Sequence, residues 1–88
     1  MEELAEEITA LVEANFDGAQ ADVAPISEYK VSGTILWDGF DEQSQSERQQ
    51  MLWAFLRNHL SPQQQMGIAT LLTFTQMEVE EMQETLAA

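Results

Sequence analysis

The side chains that could do acid–base or metal chemistry are few in this chain. His59 is the only histidine among 88 residues and no cysteine is present, which excludes disulfides, thiolate metal ligands and a cysteine nucleophile. A lone histidine near a helix end is typical of a residue that complements the helix dipole. The acidic pairs Asp41-Glu42 and Glu80-Glu81 are typical of solvated surfaces, because nothing in the sequence places them in a pocket. The sequence therefore predicts a protein that is not an enzyme.

Motifs that bind phosphates, metals or nucleic acids are also missing. The sequence contains no glycine-rich phosphate loop, no EF-hand pattern and no zinc-ligand spacing. Sixteen acidic residues face only Lys30, Arg48 and Arg57, for a net charge of −13. Because three cations are too few to follow a phosphate backbone, we interpret Trp37 and Trp53 as packing residues rather than base-stacking platforms. We therefore do not expect nucleic-acid binding.

The same charge bears on other partners and on location. Anionic membrane surfaces would repel the chain, and no apolar run approaches the roughly 20 residues needed to span a bilayer. The N-terminal segment MEELAEEITALVEA is acidic where a signal peptide is basic. We expect a soluble, cytoplasmic protein. Its acidity either serves solubility alone or selects a protein partner with a basic surface.

Apolar periodicity and capping signals predict four helical segments and three strands. In chain order these are a helix ending near Asn15, strands over 21–27 and 30–37, a helix from Ser44 to Asn58 or His59, a short helical turn after Ser61, a strand over 68–75 and a helix after Thr75. Capping boxes are expected at Ser44 with Glu47, Ser61 with Gln64 and Thr75 with Glu78. Val79, Met82 and Leu86 mark the apolar face of the last helix.

This order of elements predicts a topology. The short turn between the first two strands makes them antiparallel, and Pro25 places the first strand at an edge of the sheet. The helical crossover makes the second and third strands parallel. We predict a single α+β domain over residues 1–88, with a three-stranded mixed sheet covered by helices on one face.

Two stretches, FDEQSQSERQQMLWAFLRNHLSP and GIATLLTFT, carry a family likeness. In their order and spacing they resemble the BolA-like family, where a phenylalanine-led loop precedes a Ser…Arg helix and a Gly-Ile-His-Ala-Leu strand. The matching positions here are Phe40, Ser44, Arg48, Leu56, Gly67, Ile68 and Leu71. The segments VSGTILW and ANFDGAQADV are also similar, so the resemblance covers nearly the whole chain. It implies a KH-like αββααβ architecture, followed here by a C-terminal helix.

The resemblance also implies a partner and a cofactor. BolA-like proteins typically partner monothiol glutaredoxins and can share a [2Fe-2S] cluster with them. Their ligands are the histidine that opens the last strand and a His or Cys between the first two strands. Those positions fall on Ala69 and on Ser27–Ser32, which carry neither ligand type. Because alanine has no lone pair and hydroxyls bind such iron poorly, we expect no cofactor and no metal site.

The sequence thus favours a non-enzymatic, BolA-like protein-interaction module that partners a monothiol glutaredoxin or a related protein without cluster ligands of its own. We predict a contact surface on the third strand and C-terminal helix that includes Gly67, Ile68, Ala69, Thr70, Arg48 and Trp37. Two alternatives stay open: a cluster-sharing protein with His59 as surrogate ligand, and a KH-like nucleic-acid-binding regulator. Charge and the lack of a GxxG segment count against the second alternative.

Overall fold

The computed structural model describes the backbone of residues 1–87 and the side chains of residues 1–84. The elements are α1 (Glu2–Asn15), β1 (Gln20–Pro25), β2 (Val31–Leu36), a short 3-10 turn (Asp38–Phe40), α2 (Gln45–His59), α3 (Pro62–Met66), β3 (Ile68–Phe74) and α4 (Gln76–Ala87). The Leu86 side chain and Ala88, both part of the predictions above, lie outside the described residues. Within the part of the chain that is described, no helix is both long and apolar enough to cross a membrane.

The helices begin where the capping signals of the sequence place them. The Ser44 hydroxyl accepts a hydrogen bond from the Glu47 N–H at 3.1 Å, and the Glu47 carboxylate accepts one from the Ser44 N–H at 3.0 Å. The same reciprocal bonds join Ser61 to Gln64 and Thr75 to Glu78. All three predicted capping boxes are therefore confirmed.

The three strands of the described chain form a mixed sheet in the order β1-β2-β3. β1 and β2 are antiparallel, whereas β2 and β3 are parallel, as the turn and the helical crossover predict. β1 ends at Pro25 rather than Ser27, because the N–H groups of Ile26 and Ser27 both bond to the Lys30 carbonyl and close the turn. β1 lies at an edge, where the missing N–H of Pro25 removes no bond from the sheet.

A β-bulge interrupts the pairing of β2 with β3 at the start of β3. Val31 pairs with Ile68 but Ser32 pairs with Thr70, so Ala69 is an extra residue with no opposite residue on β2. The bulge shifts the alternation of faces, since Ile68 is buried while Ala69 and Thr70 are both exposed. The sequence pattern does not predict this bulge, because the bulge depends on the register between β2 and β3.

Helices α1 and α2 cover one face of the sheet, as predicted, and close the hydrophobic core. Val31 and Ile35 of β2 and Leu71 of β3 belong to the same buried cluster as Ile8 of α1 and Leu52 of α2. The opposite face of the sheet, which we call the open face, carries the alternate strand residues. Among them are Thr34, Leu36, Leu72 and Phe74, of which Leu72 is 50% exposed.

Candidate functional site

The two segments to which the BolA-like resemblance assigns metal ligands meet at one end of the sheet. The Val31 N–H donates to the Gly67 carbonyl oxygen at 2.8 Å, and the Lys30 ammonium donates to the Met66 carbonyl oxygen. These bonds hold the turn between β1 and β2, residues 27–30, against the junction of α3 and β3. The two segments therefore form a common surface at the start of β3.

Gly67 allows close packing at this junction. α3 ends there, with the Gly67 N–H bonded to the Gln64 carbonyl oxygen at 3.0 Å. A Cβ atom at this position would lie 2.8 Å from Leu4 Cδ2 of α1 and 3.2 Å from the Gln64 carbonyl oxygen. The absence of a side chain lets α1 approach the start of β3. Gly67 is therefore a buried packing residue.

Large apolar side chains are exposed around the junction. Ile26 is 61% exposed, Tyr29 73% and Met66 73%. Backbone bonds link Ile26 to Lys30, and Lys30 reaches Met66, so these residues share one end of the molecule. We call Ile26, Tyr29 and Met66, with the exposed Ala69 and Thr70, the strand-entrance surface. Exposed apolar residues gathered in one region are typical of interaction sites.

Sequence patterns do not single out Ile26 or Tyr29, whereas Met66 is one of four methionines that the sequence offers either for an adaptable interaction surface or for filling the core. Ile26 and Tyr29 lie between β1 and β2, where neither helical nor strand periodicity applies. A signal was nevertheless present, because a large apolar residue in a tight turn points away from any core that the flanking strands build. Ile26 and Tyr29 flank the polar pair Ser27-Glu28 and meet that description.

The donor atoms at this end of the sheet do not fit a [2Fe-2S] cluster. Ala69 offers a methyl group, and the turn offers the hydroxyls of Ser27 and Tyr29. The Ser27 hydroxyl oxygen already accepts the Tyr29 N–H at 3.2 Å. Such clusters are held by thiolates or imidazoles, which this end of the sheet does not supply. Among the described residues, no three His, Asp or Glu side chains are grouped to hold a metal ion.

His59 belongs to a different part of the molecule. Its ring stacks on Phe55 with a centroid distance of 4.3 Å, and its Nδ1 lies 2.9 Å from the Phe55 carbonyl oxygen. Phe55 in turn packs against Phe16, which contacts Trp37. The imidazole ring therefore packs at the edge of an aromatic cluster formed by Phe55, Phe16 and Trp37. Its use as a surrogate ligand at Ala69 would require a rearrangement of this cluster.

Arg48 lies at the end of the sheet where β3 stops. Its guanidinium donates to both carboxylate oxygens of Glu78, at 2.7 and 3.0 Å, and sits 5.6 Å from the Phe40 ring centroid. It also donates to the carbonyl oxygens of Gln43 and Thr73, at 3.1 and 3.4 Å. The bond from Arg48 is the main cause that lowers the pKa of Glu78 to about 2. Arg48 is only 4% exposed, and it ties α2 to β3 and α4.

Trp37 is also part of a packed cluster. Its ring lies 4.9 Å from that of Phe16 and 5.2 Å from that of Phe40, measured between centroids. The indole N–H donates to the Asp17 carbonyl oxygen at 2.8 Å. These contacts join the end of α1 to the end of β2, so the packing role predicted for Trp37 accounts for its position.

The six residues predicted as a contact surface are thus divided between the two ends of the sheet. The backbone N–H of Trp37 donates to the Phe74 carbonyl oxygen at the end of β3, whereas Ala69 lies near the start of that strand. The prediction that Arg48 and Trp37 lie near Ala69 is therefore wrong. Both residues lie where β3 ends, whereas Ala69 lies where β3 begins. At the strand entrance, Ala69 and Thr70 are exposed while Gly67 and Ile68 are buried. Partner binding by this surface stays a prediction.

The outer edge of β3 is occupied by side chains of α2. Gln49 Nε2 donates to the Leu71 carbonyl oxygen at 2.8 Å, and Gln45 Nε2 donates to the Thr73 carbonyl oxygen at 3.1 Å. A partner strand added at this edge would have to displace both bonds. The surfaces that remain open to a partner include the strand entrance and the open face.

Comparison with solved structures bears on the fold. The chain is similar to a bolA protein homologue from Coxiella burnetii, with a TM-score of 0.67 and 18% sequence identity over 85% of this chain and 94% of that chain. The chain therefore has the BolA-like fold that the sequence resemblance predicts. No family model and no curated protein sequence matches the chain.

Proposed function

We propose that this protein is a non-enzymatic protein-interaction module of the cytoplasm. It partners a monothiol glutaredoxin, or a related protein, in iron–sulfur or redox regulation and contributes no cluster ligand of its own. The observation that carries this proposal is the strand-entrance surface. Exposed Ile26, Tyr29 and Met66 lie at the same end of the sheet as the position where the resemblance expects a metal-binding histidine.

Exposed apolar residues support binding rather than folding. Three large side chains left 61–73% exposed bury little area in the folded chain. A partner that covers them would gain the hydrophobic contribution that folding leaves unused, about 25 cal/mol per Å² of apolar area. Aromatic and methionine side chains are also enriched at the centres of protein interfaces. Tyr29 and Met66 supply both types.

The side chains also support a role without catalysis. Several groups with the chemistry of acids or bases are engaged elsewhere or dispersed. His59 packs against Phe55, and Glu78 is paired with Arg48. The acidic residues Asp41 and Glu42 are exposed on a loop. None of these groups lies at the strand-entrance surface, so binding there needs no reacting group from this chain.

The proposal is tested by calorimetric titration of the chain with the metal-free monothiol glutaredoxin of the same organism. We expect binding by the native chain and a dissociation constant at least about tenfold higher for Met66→Gln, because buried interface methionines contribute on this order. Met77→Gln is the matched control, since Met77 is 68% exposed on α4 against 73% for Met66. Both variants should keep the free energy of unfolding within about 0.5 kcal/mol, as exposed substitutions do. No binding by the native chain would overturn the partner assignment.

The lack of ligands has its own test. Glutaredoxin reconstituted with iron and sulfide should show the same visible absorption and circular dichroism with and without this chain. A spectrum that changed when the chain was added, and changed back in His59→Ala, would instead support His59 as a surrogate ligand. A change that survived His59→Ala would place an unforeseen donor on this chain and would overturn the ligand-free proposal.

A further inference from the structure

We infer that the strand-entrance surface continues into a groove between α1 and α3, and that it docks a partner surface with an apolar centre and a basic rim. This inference rests on the proposed function and adds the chemistry of the partner.

The groove adjoins the strand entrance directly. It has a volume of about 300 Å³ and is lined by Met1, Glu3, Leu4, Glu7, Ser61, Gln63 and Gln64. A Cβ atom placed on Gly67 would lie 2.8 Å from Leu4 Cδ2 and 3.4 Å from Met1 Cε. The apolar wall of the groove therefore touches the start of β3, beside the exposed Met66. An apolar partner side chain could extend from the strand entrance onto Met1, which is 41% exposed, and onto the accessible edge of the otherwise buried Leu4.

Carboxylates line the same groove. Glu3 and Glu7 are one helical turn apart on α1, where like charges repel each other by a few tenths of a kcal/mol. Glu7 accepts a hydrogen bond from Gln64 Nε2 at 2.8 Å, which fixes its position without neutralising its charge. A lysine or arginine from a partner would relieve the repulsion while its methylenes covered the apolar wall.

Two of the three cations of the chain are held by bonds within the protein, and Arg48 lies at the opposite end of the sheet. Arg48 is buried against Glu78, and the Lys30 ammonium donates to the Met66 carbonyl oxygen. Sixteen acidic residues against three basic ones leave a formal charge of −13. A second copy of the chain would bring the same charge and would be repelled. The occupant that this charge selects is a different protein that presents lysines or arginines.

Two other surfaces are rivals for this role. The open face has exposed Leu72, and a second groove of about 330 Å³ near α4 is lined by Asp38, Asp41, Thr75, Gln76, Met77 and Glu80. The open face carries Asp22 on β1 beside Thr34, so a carboxylate flanks it too. The strand entrance is favoured because three large exposed apolar side chains lie at the end of the sheet that its groove adjoins, whereas the lining of the groove near α4 includes Met77 alone.

A synthetic amphipathic peptide of leucine and lysine probes the surface without assuming any natural partner. Titrated into isotopically labelled chain, it should shift backbone amide resonances at residues 1–7, 26–30 and 61–70. The matched peptide with glutamate in place of lysine should shift none of them. Shifts centred on residues 36–41 or 72–80, or spread evenly over all acidic segments, would overturn the inference.

A charge-matched pair of variants tests the carboxylates. Glu3→Gln with Glu7→Gln should raise the dissociation constant of the lysine peptide about fivefold at low salt, the size expected for two exposed charges. Glu80→Gln with Glu84→Gln removes the same charge at the same spacing from α4 and should change it less than about twofold. The difference should vanish near 1 M salt, where screening acts within about 3 Å. Equal effects of the two pairs would overturn the assignment to the groove.

The glutaredoxin titration separates the two proposals. Peptide binding at the groove without glutaredoxin binding would retain the surface and reject the partner proposed above. Glutaredoxin binding that is unaffected by Glu3→Gln with Glu7→Gln, and by salt, would retain the function and reject the basic-rimmed partner surface.

Discussion

The two ends of the three-stranded sheet differ in how far their side chains are buried and bonded. Where β3 stops, Arg48 is buried against Glu78 and Phe40, and the Trp37 ring packs between neighbouring aromatic rings. Where β3 begins, Tyr29 and Met66 are each 73% exposed. The first end joins α2, β3 and α4 through bonds and packing, whereas the second ends in a turn and a short helix whose large side chains face solvent.

This difference assigns separate physical tasks to the two ends. Buried side chains and satisfied polar groups contribute to the free energy of unfolding, so the Arg48 end should respond strongly to substitution. Exposed side chains contribute little to stability and remain available to a partner. The contrast predicts that changes of the same chemical type have unequal effects at the two ends.

The largest expected effect concerns the cation at each end. Arg48→Ala should lower the free energy of unfolding by about 3 kcal/mol, because it removes a buried side chain that packs on Phe40 and donates to the carbonyl oxygens of Gln43 and Thr73. Lys30→Ala should lower it by no more than about 0.5 kcal/mol, since Lys30 is exposed. Urea unfolding followed by tryptophan fluorescence measures both. Similar losses of unfolding free energy in the two variants would show that the two ends do not differ in their contribution to stability.

A smaller contrast is expected from two glycines. Gly39→Ala would put a Cβ atom 2.3 Å from Cζ2 of the Trp37 ring, which its neighbours hold in place, and should cost about 2 kcal/mol. Gly67→Ala would meet Leu4 Cδ2, the end of a flexible side chain, and should cost about 1 kcal/mol. Thermal and urea unfolding give the order of the two losses. A greater loss for Gly67→Ala would mean that the strand entrance is the more tightly packed end.

The smallest expected effect is the pH dependence of the Arg48–Glu78 pair. Folding lowers the pKa of Glu78 from its ordinary 4.5 to about 2, so the unfolded chain binds this proton more readily. The stabilisation is complete above about pH 4.5 and is lost as the pH falls through 2. Since the Glu78 side chain is 36% exposed, solvent screening limits it to about 1 kcal/mol.

Unfolding titrations between these pH values check the sign. The free energy of unfolding should fall less steeply with acid in Glu78→Gln than in the native chain. Glu28→Gln, in the exposed turn at the other end, should keep the native slope. A native slope in Glu78→Gln would show that the ion pair does not set the acid response.

The local parts of the fold follow from short stretches of sequence. Each capping box depends on two residues three positions apart, such as Ser44 and Glu47, and needs no tertiary information. The parallel pairing of β2 with β3 follows from the helical crossover between them. These features are therefore predictable from residue order and spacing, and the structure confirms them.

The candidate site depends on relations that no short stretch contains. Arg48, Trp37 and Ala69 all belong to segments that carry the BolA-like resemblance, but the order of segments along the chain does not say at which end of a strand a residue lies. The bulge at Ala69 arises from the register of β2 against β3. The exposure of Met66 depends on where α3 meets α1, which periodicity does not report.

The bulge also has a consequence for how sequences of this fold can diverge. Ala69 has no opposite residue on β2 and its side chain is in solvent, so a substitution there does not propagate into the core. Substitutions with little effect on stability are the ones that selection tolerates. A lineage can therefore gain or lose a coordinating side chain at position 69 while the scaffold stays intact. One unpaired residue lets the chemistry of the surface evolve independently of the fold.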